Sequence, residues 1–175
     1  LVLLQTLNII ENFDLKSSGH NSAETIHILS EAMQRAYADR AEYHGDPDYF
    51  DVPVKTLLNK QYSSDLSTTI FDTRTPDGQI FEGNLTKYDE SPDTTHFSII
   101  DSKGNAVSNT YTLGSSFGSG VTIEKGGFLM NNQMRNFSHF YGQENAEYGN
   151  SEANKLEPGK RMISTQTPTL VFKPT

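Results

Sequence analysis

Asp93-Thr94-Thr95-His96-Phe97-Ser98-Ile99-Ile100-Asp101 runs into Ser102-Lys103-Gly104-Asn105 and then Ala106-Val107-Ser108-Asn109-Thr110-Tyr111-Thr112. Two β-type runs around a short turn with one glycine form the pattern of an antiparallel hairpin. A type I turn at Ser102-Lys103, with Gly104 in the left-handed position of a three-residue loop, pairs Asp101 with Asn105. Counting outward from that pair sets Thr94 opposite Thr112, so two hydroxyls become cross-strand neighbours. By itself a threonine-rich alternating segment is ordinarily a half-buried strand with its hydroxyls toward water. The same geometry also suits a hydroxyl placed at a scissile peptide and then at a new amino terminus.

Upstream of the hairpin the pattern is helical. Residues 1–14 carry apolar positions suited to a buried helix, closed by Lys16-Ser17-Ser18-Gly19. Asn21 with Glu24 reads as a capping box. It opens a helix that presents Ile26, Leu29, Met33 and Ala36 at three- and four-residue spacing until Gly45-Asp46-Pro47 stops it. Pro53 suits the first turn of a third helix through Leu57 and Leu58. From about residue 63 to 93 the chain is polar and turn-rich, an expected exposed linker. Strands and glycine loops follow Thr94, with no internal repeat. Helices before and strands after give an α+β class.

Composition narrows the function classes. A net charge of −8 without clustered Lys and Arg argues against a nucleic-acid partner. The absence of cysteine removes disulfides, thiolate metal sites and a cysteine nucleophile. The opening Leu1-Val2-Leu3-Leu4 is too short an apolar run to span a bilayer and lacks the flanks of a signal peptide. At 175 residues the chain suffices for one domain with a sizeable core. Its start without methionine and its end on Val171-Phe172-Lys173-Pro174-Thr175, an apparently interrupted strand, lead us to expect a piece of a longer protein.

Thr94-Thr95-His96-Phe97-Ser98-Ile99-Ile100-Asp101, Asn109-Thr110-Tyr111-Thr112-Leu113, Phe117-Gly118-Ser119-Gly120, Asn131-Asn132-Gln133-Met134 and Ser164-Thr165-Gln166-Thr167-Pro168-Thr169 resemble, in order, the γ-glutamyltranspeptidases. Ala36-Tyr37-Ala38-Asp39-Arg40 and Gly45-Asp46-Pro47-Asp48 are similar to that family's large-subunit segment. Several separated motifs in order are more specific than any one alone. The resemblance implies the four-layer αββα sandwich of N-terminal-nucleophile hydrolases, incomplete here, with residues 1–93 ending a large subunit and 94–175 beginning a small one. It implies cleavage between Asp93 and Thr94, a heterodimer from one precursor, and γ-glutamyl transfer from glutathione or similar amides to water, amino acids or peptides. A periplasmic or secreted location is implied with it, and neither cofactor nor metal is called for. The family's arginine for the substrate carboxylate is expected upstream of Leu1, and its Gly-Gly oxyanion segment after Thr175.

Carried over residue by residue, the resemblance makes Thr94 the nucleophile and its freed α-amino group the base, with Thr112 supporting it. Gln133, Ser164 and Thr165 fall on substrate-binding positions. From the residues alone, Asn131-Asn132-Gln133 reads equally as a capped turn, and the hydroxyls near Pro168 as ordinary loop residues. Two substrate-binding positions depart from the family. Asn136 stands where an aspartate commonly meets the substrate ammonium group, and a neutral amide supplies no opposite charge. Gly114 stands where a polar residue is usual. These departures open an alternative, an acylase acting on glutaryl groups as cephalosporin acylases do. A non-catalytic homologue or inactive fragment is the alternative from a different class.

Other motifs carry less. Gly114-Ser115-Ser116-Phe117-Gly118-Ser119-Gly120 lacks the Gly-Lys-Ser/Thr ending of a phosphate cradle. His20, His27, His44, His96 and His139 have no metal-ligand spacing. Asn84-Leu85-Thr86 and Asn136-Phe137-Ser138 are sequons by pattern only. Asp89, Glu90 and Asp93 read as a solvated linker.

Overall fold

Ser22, one residue after Asn21, starts the long helix. The computed structural model describes residues 1–76, 79–80, 94–138 and 151–173. In it α3 (Ala23–Tyr43) begins where the Ser22 hydroxyl accepts the Thr25 N–H at 3.1 Å. Asn21 lies just outside with φ 54. Both residue types cap helices well, but asparagine also tolerates the left-handed conformation, and here it makes the turn that delivers Ser22 to the cap. The expected capping box of Asn21 and Glu24 is corrected accordingly.

The first helix is shorter than the apolar run suggests. α1 (Val2–Ile10) stops, and Asp14 nucleates a separate turn, α2 (Leu15–Ser18), by accepting the Ser17 N–H at 3.2 Å and the Ser17 hydroxyl at 2.6 Å. α4 (Val54–Leu57) follows Pro53 as expected. Asn59 then caps α5 (Lys60–Ser67), taking the N–H groups of Gln61 at 2.8 Å and Tyr62 at 3.2 Å. Helix therefore continues through Ser67, past the point where the sequence turns polar.

The buried face of α3 also differs from the apolar stripe. Ile28, Glu31, Ala32, Arg35, Ala36 and Arg40 are buried, whereas Ile26 and Met33 are exposed. Small Ala32 and Ala36, both fully buried, suit the close packing of α1 on α3, with Ile9 of α1 buried as well. The charged members are buried because they are paired. Arg35 Nη1 donates to Glu31 Oε2 at 2.8 Å, and Arg35 Nε and Nη2 donate to the Thr69 hydroxyl and carbonyl at 2.7 and 2.6 Å. Thr75 gives its N–H and hydroxyl to the Glu31 carboxylate at 2.9 and 2.5 Å. Burial pushes the Glu31 carboxyl up; the bonds from Thr75 and Arg35 outweigh it and leave the group below its ordinary range.

A second polar knot joins three helices. Asp39 of α3 accepts from Gln5 of α1 and from the Tyr62 phenol of α5 at 2.8 Å. Burial and then the Asp39 charge push the Tyr62 phenol upward, so it remains a donor.

The chain divides into two compact units, Leu1–Thr86 with Phe137–Ile163 and Lys87–Asn136 with Ser164–Thr175. In the first unit residues 151–163 return to the helices: Ser138 N–H donates to the Asn154 carbonyl at 2.8 Å, and Ile163 N–H to Asn154 Oδ1 at 3.3 Å. No helix among the described residues is long and apolar enough to cross a membrane.

The second unit is built on the hairpin. β1 (Thr95–Ile100) and β2 (Ala106–Tyr111) pair antiparallel from Thr95 with Tyr111 to Ile100 with Ala106. Asp101 N–H donates to the Asn105 carbonyl at 3.0 Å, and Gly104 has φ +83, as the three-residue loop requires. Asp101 also accepts the Lys103 and Asn105 N–H groups, both at 2.9 Å. The expected register is the observed one. A smaller pair, β3 (Thr122–Ile123) and β4 (Phe128–Leu129), follows. Together the units make a mixed helix-and-sheet structure.

Candidate active site

Thr94 is exposed and immediately precedes β1. One step beyond the Thr95–Tyr111 pair, the register sets it across from Thr112, which immediately follows β2. Thr112 Oγ1 accepts the Gly114 N–H at 3.0 Å, which orients the hydroxyl at the strand end. His96 takes no part in this: its ring nitrogens lie 2.7 Å from the Thr110 hydroxyl and 3.1 Å from the Ser98 hydroxyl along the hairpin. Asp93 lies outside the described residues, as do Asp89, Glu90, His139 and the sequon at 84–86.

The loop after β2 and the turn at 131–136 are bonded together. Asn132 N–H donates to the Leu113 carbonyl at 2.9 Å, Asn132 Nδ2 to the Ser115 hydroxyl at 3.0 Å, and Arg135 Nη2 to the Gly114 carbonyl at 3.0 Å. Gln133 N–H is taken by Asn131 Oδ1 at 3.0 Å, so the capped-turn reading holds for the backbone. The side chains do something further: buried Asn136 donates Nδ2–H to Gln133 Oε1 at 2.7 Å. Thr112, Gly114, Gln133 and Asn136 are thus brought into one cluster.

Gly114 is a glycine for two reasons. Its φ is +91, and a Cβ there would stand 2.0 Å from Asn132 Oδ1 and 3.3 Å from Gln133 Nε2. The room that a side chain at 114 would take is filled by Asn132, whose buried Oδ1 has no hydrogen-bond partner among the described residues. The sequence reading missed Asn132 and Arg135. Their signal was available, since both lie in the run that supplied Gln133 and Asn136, but only the folded loop shows that they touch Gly114.

Ser164 and Thr165 are not joined to this cluster among the described residues. Both are exposed, with local bonds only: Ser164 Oγ accepts the Gln166 N–H at 3.2 Å and the Thr165 carbonyl accepts the Thr167 hydroxyl at 3.4 Å. A cavity of about 470 Å³ in the helical unit is walled by Arg35, Leu66, Thr69 and Phe71. Arg74 also lines it, and Arg35 is already engaged by Glu31 and Thr69.

The gamma-glutamyltranspeptidase family model matches residues 1–175. The glutathione hydrolase proenzyme of Escherichia coli is 45% identical over 174 residues, covering 98% of this chain and 30% of that protein. The proenzyme of the same name from Pseudomonas aeruginosa is also 45% identical, over 99% of this chain and 31% of its own length. An Acylase ACY 1 proenzyme from a Pseudomonas species is 34% identical over 98% of this chain and 28% of its own. Among solved structures, a cephalosporin acylase from Bacillus halodurans superposes with a TM-score of 0.68 at 30% identity, over 94% of this chain and 27% of that one. The chain thus spans about a third of the length of the curated relatives it matches. With a family model matched end to end and two proenzymes at 45% identity, the chain belongs to the gamma-glutamyltranspeptidase family.

Proposed function

We propose that this chain is the junction region of a self-cleaving N-terminal threonine hydrolase and transferase acting on γ-glutamyl amides. The observation that carries the reading is the hairpin register, whose last pair is Thr95 with Tyr111, so that Thr94 and Thr112 are the next residues outward on the two arms. Residues 1–93 would close a large subunit and 94–175 open a small one within a four-layer αββα sandwich. The two would form a heterodimer, in a periplasmic or secreted enzyme.

In the precursor, Thr94 Oγ attacks the Asp93 carbonyl carbon. The peptide nitrogen leaves as the Thr94 α-amino group and an ester forms, which water hydrolyses to an Asp93 carboxylate and a free Thr94 hydroxyl. An α-amino group ordinarily titrates at about 7.7–8.0, low enough to act as base toward its own hydroxyl near neutral pH. Thr94 Oγ then attacks the γ-carbonyl of glutathione or a related amide, the α-amino group passing the hydroxyl proton to the departing amine. Water or an acceptor amino acid or peptide releases the acyl group. Thr112 orients the nucleophile, and Gln133, Asn136, Ser164 and Thr165 hold the γ-glutamyl moiety beside Gly114.

Intact mass and amino-terminal sequencing of the full-length protein test this. A new chain beginning Thr94-Thr95-His96, absent from Thr94→Ala along with all turnover, is the expected result. An uncut, inactive precursor would leave the non-catalytic homologue standing.

A second reading is favoured by one specific observation. The amide of Asn136 and the cation of Arg135 adjoin Gln133 and Gly114, and no aspartate bonds to them among the described residues. Such a charge pattern suits a glutaryl group, which has a carboxylate and no amine. Parallel assays on γ-glutamyl and glutaryl anilides decide between the two, and a clear glutaryl preference would replace the first reading.

A further inference from the structure

Asp46 is a buried carboxylate, 4% exposed, whereas most acidic groups among the described residues face water. Such a group is tolerated when its oxygens are filled. Its partners come from far along the chain: Arg161 donates its backbone N–H at 2.8 Å and its Nε–H at 2.9 Å to Oδ2, and Nη2 reaches Oδ1. The Asp48 N–H completes the set at 3.2 Å, and Arg161 Nη2 also meets Asp48 Oδ2 at 2.5 Å. The bonds from Arg161 hold the Asp46 carboxyl far below its usual range. The Arg161 side chain is itself 64% exposed, so packing does not explain it. What the contact fixes is backbone, because one carboxylate grips the main chain and the guanidinium of the same residue.

The neighbouring contacts tighten the same seam. A Cβ on Gly45 would stand 2.0 Å from the Ala153 carbonyl oxygen. Tyr49 donates its hydroxyl to the Pro158 carbonyl at 3.0 Å, and the Lys160 ammonium lies 5.8 Å from the Tyr49 ring centre. Buried Ile163 is held by Asn154 Oδ1. Two residues after the grip at Arg161 the bound segment ends, and Ser164 and Thr165 follow at once, exposed and bonded only locally.

We infer that Asp46 and Arg161 are positioning residues for Ser164-Thr165, a buckle that fixes the backbone from which the two hydroxyls extend. This rests on the reading that those hydroxyls hold the γ-glutamyl moiety of the substrate. Asp46 lies before the proposed cut and Arg161 after it, so the buckle ties the substrate-binding segment of one product chain to the other without a covalent bond. A displacement of about 1 Å at a substrate-holding group costs up to about 10²-fold in rate. A loosened base should be felt chiefly in substrate binding.

The test uses the full-length protein with Asp46→Asn, Arg161→Lys and, as control on the exposed Glu152 pair, Lys155→Met. Steady-state kinetics on γ-glutamyl-p-nitroanilide and hydrogen exchange across residues 161–169 are both read. Asp46→Asn should raise KM about tenfold with kcat held within about threefold, and speed exchange at 162–167. Arg161→Lys, which keeps the charge and loses the fork, should fall between this variant and the wild type, and Lys155→Met should match the wild type. Unchanged KM and exchange in Asp46→Asn, or protection lost evenly over the whole protein, would overturn the inference. Should Asp46→Asn fail to fold, Arg161→Lys decides by the same two readouts. If the wild type turns over no γ-glutamyl amide, the parent reading fails, while exchange at 162–167 still judges the buckle.

Discussion

The helical unit hides charge and the hairpin unit displays hydrocarbon. Glu31 and Arg35 are nearly inaccessible within the first, while every residue of β1 is exposed in the second, including Phe97, Ile99 and Ile100. The helices are held by side-chain pairs between residues far apart in sequence, such as Arg35 with Thr69 and Gln5 with Asp39. The hairpin is held by its turn, through Asp101, Gly104 and Asn105. Damage should therefore read out as lost stability in the first unit and as misplaced chemistry in the second.

The sharpest way to break that contrast is Arg35→Ala. It leaves Glu31 buried without its cation and should cost about 3–5 kcal/mol, seen as a large drop in denaturant midpoint. An unchanged midpoint would mean that the helical unit does not depend on its buried pairs.

Asn136→Asp sharpens the other side. It restores a carboxylate beside Gln133 and should raise kcat/KM for a γ-glutamyl anilide about tenfold and lower it for a glutaryl anilide, while melting falls because the buried Nδ2–H donor to Gln133 is lost. Equal changes for both anilides would show that residue 136 does not read the ammonium group.

Gly104→Ala forces a Cβ into φ +83 and should cost about 1 kcal/mol. Gly104→Asn should cost less, a ranking that chemical denaturation of the two variants checks.

Near neutral pH the smallest effect belongs to His44. Burial, with the nearby Arg40 charge adding to it, lowers its imidazole to about 4. A group held neutral in the fold and free to protonate when unfolded gives stability that is complete above about pH 6.5 and lost as pH falls from there toward 4. Melting temperature should drift down as pH is lowered from 7 through 6, and His44→Gln should flatten that part of the curve.

The two units also differed in how plainly their sequences spoke. The hairpin was legible to the residue because turn chemistry and a period of two are local rules, and Ser102-Lys103-Gly104 obeys them. Gln133 and Asn136 were named through the resemblance, not through a local rule, and the contact of Asn132 with Gly114 needed the fold. The buried face of α3 was not legible. Ile26, Leu29 and Met33 made the more apolar stripe, and nothing near Glu31 or Arg35 announced that Thr69 and Thr75 would satisfy them. The grip of Asp46 on Arg161 was equally hidden, for Gly45-Asp46-Pro47 reads locally as a helix stop. Choosing Asn21 over Ser22 was a smaller miss between two competent caps.

The β1–β2 turn also sets the parity by which Thr94 meets its partner. Two residues added symmetrically to the loop extend the ladder and return Thr94 to the same partner. A single added residue keeps that partner only where a four-residue loop or a bulge absorbs it; otherwise every residue of β1 re-pairs with a neighbour facing the other way. A loop swap of odd length should therefore keep Thr94 in place only if its residues suit the longer turn or a bulge, whereas an even, symmetric one needs only to extend the ladder.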